Sequence, residues 1–357
     1  MELDPKYDHY DFPTTSVVTR EGHPGHLTAG QQAQVHQLRM MLESEGFKQR
    51  LDTLTLLRFL RARKWDVEAA KKMFVESEEW RNKLTVWDPE KGAYRLMSLD
   101  KDDPANKPPN PPLNLDELVR TWDKDGSFKR DLSKYYKQFY HKTDKDGRPC
   151  YYEKLGGVDF AKLKKANFTN DNMLLNLAVE YEKMADPRLP ACSREAGHLL
   201  ETSCSILDVK GVGLIGQSTV INYIKQASAM SNSNYPERLG KMYVINAGWI
   251  VTGIWTIVSR FLDPVTAEKI KVLGSDYKST LLQHVPAANL PKLYGGECAC
   301  EGGCELSDAG PWQDEQWRRP AWWEKDVIIE NTPTEVVTGS GAPVEGNVAP
   351  AEAKIVA

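Results

Sequence analysis

Between about residues 135 and 273 the chain alternates short β-type runs with longer helical periods, and this alternation restricts the fold more than any single motif does. Runs at 150–155, 205–209, 242–246 and 270–273 read as strands, whereas 173–184, 220–227 and 250–260 repeat their apolar residues at helical spacing. Strand–helix–strand crossovers make neighbouring strands parallel and lay helices over the sheet, so the pattern predicts an α/β domain with a largely parallel sheet. No internal repeat is visible.

Upstream of that domain, helical spacing covers 35–42, 54–62 and 66–84. In the last of these Asp66 is placed to cap the helix, and Val67, Ala70, Phe74 and Ser77 follow along one face. The organisation expected is a flexible N-terminus at 1–30, a helical domain at 31–85, and an insertion or linker at 86–132 containing PANKPPNPPLN. The main domain is then placed at 133–315 and a C-terminal extension at 316–357, disordered after about 325.

Composition removes several classes of function. A chain of 357 residues with a net charge of −4 has no bulk basic field for nucleic acid. The opening MELDPKYDHYDFPTTSVVTR lacks the apolar core of a signal peptide, so export is not expected. The most apolar run, 249–258, is broken by Gly253 and is much shorter than the roughly 20 residues that span a bilayer. Of six cysteines, Cys150, Cys192 and Cys204 are isolated and read as reduced cytosolic thiols. Cys298, Cys300 and Cys304 cluster, but the local sequence holds no fourth Cys or His; the expectation is a glycine-rich surface loop without metal.

Gly211-Val-Gly213-Leu-Ile-Gly216 follows a strand and opens a helix, as a dinucleotide fingerprint does. The next strand, however, ends Ile245-Asn246-Ala247 rather than in an acid, and earlier strands precede the glycines. A turn and helix start is the plainer reading, with a nucleotide-dependent oxidoreductase kept as an alternative. There is no G-x-S-x-G elbow, Walker loop or H-E-x-x-H, and His141 and His198 read as structural. No catalytic residue is assigned, and an enzyme is not expected.

Three other features point towards a ligand. The segment 248–262 leaves almost no polar face, so it is buried or covers something apolar. Asp263 and Pro264 start a new helix on which Thr266 and Lys269 lie three apart, a hydroxyl and a cation suited to a phosphate. Tyr140 and Tyr151 flank the turn Lys145-Asp146-Gly147-Arg148; such a pair forms core or receives a quaternary ammonium.

Several long segments in one order carry a resemblance. LLRFLRARKWDVEAAKKMF, FYHKTDKDGRPCYYE, RLPACSREAGHLLETSCSILDVKG, NYPERLGKMYVINA, FLDPVTAEKI and PAANLPKLYGG resemble the CRAL-TRIO lipid-binding family, specifically its fungal phosphatidylinositol/phosphatidylcholine transfer members, over roughly 28–315. The resemblance implies a CRAL-TRIO fold: a helical N-terminal subdomain and a mixed, largely parallel sheet flooring an apolar cavity closed by a helical gate. It implies a phosphatidylinositol site at Arg63, Lys64, Glu237, Thr266 and Lys269, and a phosphatidylcholine site at Tyr140, Tyr151, Ser203 and Ser205, where Ser205 replaces a threonine. Trp249, Ile254, Trp255 and Val258 are expected to line the cavity, with the gate around 264–288. The segment 86–132, the loop 298–304, Met184-Ala185-Asp186-Pro187 and the Trp249/Trp255 pair depart from the family pattern.

The implied function is exchange of one phospholipid at a time, promoting phosphoinositide synthesis and Golgi secretory traffic. No cofactor is expected beyond bound phospholipid as cargo. The implied partners are a transient membrane surface and a phosphatidylinositol kinase, for a cytoplasmic monomer that visits Golgi and endosomal membranes. A binder of another hydrophobe such as a sterol, tocopherol or retinoid is the main alternative. A diacyl lipid carries about 30 methylenes at about 0.8 kcal/mol each, so its exposure to water costs on the order of 20–25 kcal/mol, and a carrier needs a closed apolar chamber.

Overall fold

The computed structural model describes residues 1–82, 85–88, 93–96, 114–212, 217–259 and 264–325. Helices α1 (Ala29–Ser44), α2 (Thr53–Ala62) and α3 (Val67–Asn82) form the N-terminal subdomain. Each start is set by a side chain: Thr28 and Gln31 form a reciprocal capping box, Asp52 accepts from the Thr55 amide, and Asp66 accepts from the Ala69 amide. Their apolar faces meet in one core that includes Leu38, Leu42, Leu56, Leu57, Leu60 and Phe74.

A two-stranded antiparallel ribbon follows, β1 (Thr85–Asp88) with β2 (Ala93–Leu96). Helices α4 (Leu115–Thr121) and α5 (Ser127–Ser133) come next. The expected linker therefore contributes structure, because Leu115, Leu118 and Val119 are buried against Leu175, Ala178 and Val179. The proline-rich PANKPPNPPL lies outside the described residues.

The remaining elements are β3 (Gln138–Thr143), β4 (Pro149–Lys154), α6 (Phe160–Lys165), α7 (Asn170–Lys183), α8 (Leu189–Ala196), β5 (Ser203–Asp208), α9 (Gln217–Asn234) and β6 (Leu239–Ile245). They are followed by α10 (Trp249–Val258), α11 (Pro264–Glu268), β7 (Ile270–Val272), α12 (Lys278–His284) and α13 (Cys304–Ser307). The five strands run β3-β4-β5-β6-β7 across one sheet. Only the β3–β4 hairpin is antiparallel; the other three pairings are parallel, as helical crossovers require.

One face of the sheet holds Phe139, Tyr152, Ile206 and Tyr243 and is closed by Tyr277, Leu281 and Val285 from and beside α12. The other face looks towards α7, α8, α9 and α10. A buried network ties the two subdomains together: Arg81 of α3 donates to both Glu182 oxygens (2.6 and 3.1 Å) and to Asp116 (2.8 Å), and Tyr235 also donates to Glu182 (2.8 Å).

Residues 1–28 differ from the flexible segment expected. Asp8 accepts from the Thr53 amide and hydroxyl (both 2.6 Å), Tyr10 donates to Asp52 (2.7 Å), and the Leu199 amide donates to the Thr15 carbonyl (3.0 Å). The polar composition that reads as disorder here supplies specific hydrogen bonds to the N-terminus of α2 and to the strand-leading loop.

Candidate functional site

Strand register places Tyr140, Tyr151, Ser205, Met242 and Ile270 in one row across the sheet. Side chains alternate faces along each strand, so this row shares a face with Ser203 and with the next row, Gln138, Glu153, Leu207, Val244 and Val272. The four residues expected to hold phosphatidylcholine are therefore brought together. The Tyr140 and Tyr151 ring centroids are 5.1 Å apart and tilted by 48°. Ser203 and Ser205 are buried, and Ser203 Oγ donates to the Arg238 carbonyl at 3.5 Å.

Burial pushes both phenols above their ordinary range, so they remain donors. Among the described residues the buried Tyr151 hydroxyl makes no well-formed hydrogen bond, with the Glu153 carboxyl its nearby polar neighbour. Glu153, further along the same face, accepts from Tyr136 and from Gln138 (3.3 Å), and burial raises its carboxyl pKa.

One residue absent from the sequence reading completes this wall. Arg188 stacks over Tyr140, its guanidinium carbon 4.4 Å from the ring centroid, and forms ion pairs with Glu180 and Asp308 at 3.0 Å each. The local sequence offers only Glu180 as a partner; Tyr140 and Asp308, the turn residue after α13, are brought to it by the fold.

A second region is a polar cleft of about 520 Å³ at the lower end of β6 and β7. Lys269 Nζ lies 3.9 Å from Glu237 Oε2 within it, whereas Thr266, half-buried, does not line the cleft and meets Lys269 only by accepting its amide on the Thr266 carbonyl at 3.2 Å. Arg20, Arg61, Arg148, Lys241, Lys269 and Lys271 outnumber Glu201, Glu237 and Glu268 around the cleft, although Arg148 and Lys241 also pair with Asp146 beside it. Arg63 and Lys64 do not line it: both are exposed beyond the C-terminal end of α2. Arg61 reaches the cleft instead, held by Glu201 at 3.0 Å. Two positions separate Arg61 from Arg63, enough on a helix to turn the side chain to another face.

Helix α10 corrects one expectation. Trp249 is 82% exposed, and Thr252, Gly253 and Thr256 are exposed with it. Val251 packs against the buried cluster that includes Leu155, Val209 and Tyr223, and Trp255, one turn on, is half-buried. At about 100° per residue Trp249 lies nearly opposite Val251, so it points to solvent and does not line a cavity. The side chains of Ile254 and Val258 lie outside the described residues, as does the glycine motif from Gly213 to Gly216.

The segment expected to form the gate is built into the sheet and core. Within 264–288, β7 is hydrogen-bonded into the sheet, and Tyr277, Leu281 and Val285 are core residues, so this segment cannot swing without breaking the sheet and its packing. Among the described residues no helix is long and apolar enough to cross a membrane.

The family model described as the CRAL/TRIO domain matches residues 133–296, and the model of its N-terminal domain matches 32–76. The chain is 46% identical over 306 residues to the Sec14 cytosolic factor of Schizosaccharomyces pombe, covering 86% of this chain and 96% of that protein. It is 44% identical over 302 residues to the SEC14 cytosolic factor of Candida glabrata, covering 84% and 89%. A phosphatidylinositol/phosphatidylcholine transfer protein of Arabidopsis thaliana, SFH4, is 38% identical over 73% of this chain and 38% of its own length.

Proposed function

The chain belongs to the CRAL/TRIO family, and we propose that it exchanges phosphatidylinositol and phosphatidylcholine between membranes, one molecule at a time and without chemical conversion. The observation that carries this reading is the row of Tyr140, Tyr151 and Ser205 on one buried face, in which the Tyr151 hydroxyl makes no well-formed hydrogen bond among the described residues. An unsatisfied buried hydroxyl costs roughly 1–3 kcal/mol, and a lipid phosphate supplies an acceptor. Tyr140 and Tyr151 then receive the choline, with Ser203 and Ser205 as further hydrogen-bond partners.

Phosphatidylinositol uses the cationic cleft. Lys269 binds the phosphodiester, Thr266 supports it, and Glu237 orients Lys269 or accepts inositol hydroxyls. Arg63 and Lys64 contribute from the rim at most, with Arg61 nearer the cleft wall.

Helix α10 is the mobile wall in this reading. It presents an apolar side to the sheet and an exposed tryptophan outside, so it suits a helix that opens when Trp249 enters the interface of a bilayer. Exchange occurs at the membrane, at Golgi and endosomal surfaces, and delivers phosphatidylinositol to a lipid kinase.

The test is transfer of labelled phosphatidylinositol and phosphatidylcholine between vesicles by the purified chain. Transfer of both supports the proposal, and transfer of neither overturns it. Mass spectrometry of extracted lipid would reassign the cargo if it found only a sterol, tocopherol or retinoid.

A further inference from the structure

Three of the four residues that meet on the outer side of β3 come from one short loop. Cys298, Cys300 and Cys304 are all free thiols, spaced C-x-C-x-x-x-C, and Cys298 and Cys304 are buried. The fourth is His141, which is fully buried on β3, 157 positions from Cys298 in sequence. The expectation that the cluster lacks a fourth ligand is corrected here: the ligand is supplied by the fold rather than by the neighbouring sequence.

The geometry suits a tetrahedral metal centre. One ligand atom from each of the four residues lies within 4.8 Å of all the others. His141 Nε2 is 3.3 Å from Cys298 Sγ, and Cys298 Sγ is 3.8 Å from Cys300 Sγ. A zinc ion with bonds of about 2.3 Å to sulfur and about 2.0 Å to nitrogen holds sulfurs about 3.8 Å apart and a nitrogen about 3.5 Å from each sulfur. The other ring nitrogen, Nδ1, is fixed by Ser307 Oγ at 3.0 Å, and Ser307 itself donates to the Cys304 carbonyl at 3.0 Å. Such an outer partner sets the ring orientation so that Nε2 faces the thiols.

We propose that His141, Cys298, Cys300 and Cys304 form a structural zinc site that fastens the 298–307 loop to the edge strand β3. Four protein ligands leave no open position for a substrate, so the metal holds structure and performs no chemistry. Binding releases the thiol protons and forms three zinc–thiolate bonds and one zinc–imidazole bond, with no change of oxidation state. The consequence reaches the cargo wall, because His141 follows Tyr140 directly and neighbouring strand residues point to opposite faces. Anchoring His141 on the outer face therefore fixes how Tyr140 stands on the inner one.

The test uses the full chain purified without added metal or chelator. Elemental analysis is expected to find about one zinc per chain, and a mercurial thiol reagent with a colorimetric zinc indicator should release it stoichiometrically. Cys300→Ser is the informative variant, because Cys300 is only partly buried and its replacement does not open the core. It should lose bound zinc, and a strong chelator should then lower the melting temperature of the wild type but not of the variant. Cobalt substitution of the wild type, which needs no variant, should give the intense visible bands of a tetrahedral thiolate complex. A metal-free wild type that takes up neither zinc nor cobalt, or a native disulfide among these three cysteines, overturns the proposal.

Discussion

The guanidinium carbon of Arg188 sits 4.4 Å from the centre of the Tyr140 ring, and Tyr151 lies on the same tyrosine at 5.1 Å. A cation belonging to the protein thus holds one partner of the aromatic pair before any lipid arrives. Burial pulls the Glu180 carboxyl upward, but Arg188 holds it down at about 2, so the pair is fully ionised at neutral pH. Arg188→Ala leaves the Glu180 and Asp308 carboxylates without their shared cation. Truncating one member of a buried pair costs roughly 3–5 kcal/mol, and denaturant titration should show a loss of that order. Arg188→Lys should recover only part of it, since an ammonium cannot stack on Tyr140 and bridge two carboxylates in one plane.

The two headgroup sites should separate by mutation. Lys269→Ala removes a charge-assisted contact worth roughly 1.5–3 kcal/mol, so phosphatidylinositol transfer should fall by about 10- to 100-fold while phosphatidylcholine transfer persists. Tyr140→Ala combined with Tyr151→Ala should do the reverse. Equal loss of both activities in either variant would show that the two lipids share one set of contacts. Vesicle-to-vesicle transfer of each labelled lipid decides this.

Tyr140 and Tyr151 were legible as a pair because they flank a hairpin turn, and the parallel sheet was legible from the order of segments, whereas Ser205 was reached only through the family resemblance and its place in their row only through strand register. The helical N-terminal subdomain was legible from its spacing, with Leu56, Leu57 and Leu60 recurring on one face. Trp249 was not. High apolarity says that a helix is covered somewhere, but it does not say which residues face the cover, and that depends on a neighbour Val251 finds only in three dimensions. His141 and Arg188 escaped for a related reason, because Cys298 lies 157 positions from the first and Asp308 lies 120 positions from the second. The fixed state of 264–288, expected to swing, was not legible because Tyr277, Leu281 and Val285 complete a core whose other half comes from β3 to β6.

Membrane docking should depend on Trp249. An indole that is 82% exposed in water gains roughly 1.5–3 kcal/mol on entering an apolar interface. Trp249→Ala should therefore weaken partitioning onto phospholipid vesicles by about 10- to 100-fold and slow the transfer of both lipids together. Because Trp249 makes little contact with the core, the melting temperature should hardly move. Vesicle flotation beside a thermal melt separates a docking defect from a folding defect.

Asp186 carries a cost that grows as the solution becomes less acidic. Burial pushes its carboxyl up to about 6, against a lowering hydrogen bond from the Trp322 amide at 2.8 Å. An unfolded aspartate titrates near about 3.9. Between these values the folded chain binds the extra proton, so this group's contribution to stability is full below about pH 4 and is lost as pH rises through about 6. The difference corresponds to roughly 2–3 kcal/mol at about 1.4 kcal/mol per unit. Asp186→Asn keeps an oxygen for the Trp322 amide and removes the titration. The melting temperature of the variant, relative to the wild type, should therefore rise between pH 4 and pH 6 and level off above it. A difference that narrows as pH rises would show that the Asp186 carboxyl is stabilised as an anion by its surroundings, and one that stays flat would show that folding does not raise its titration.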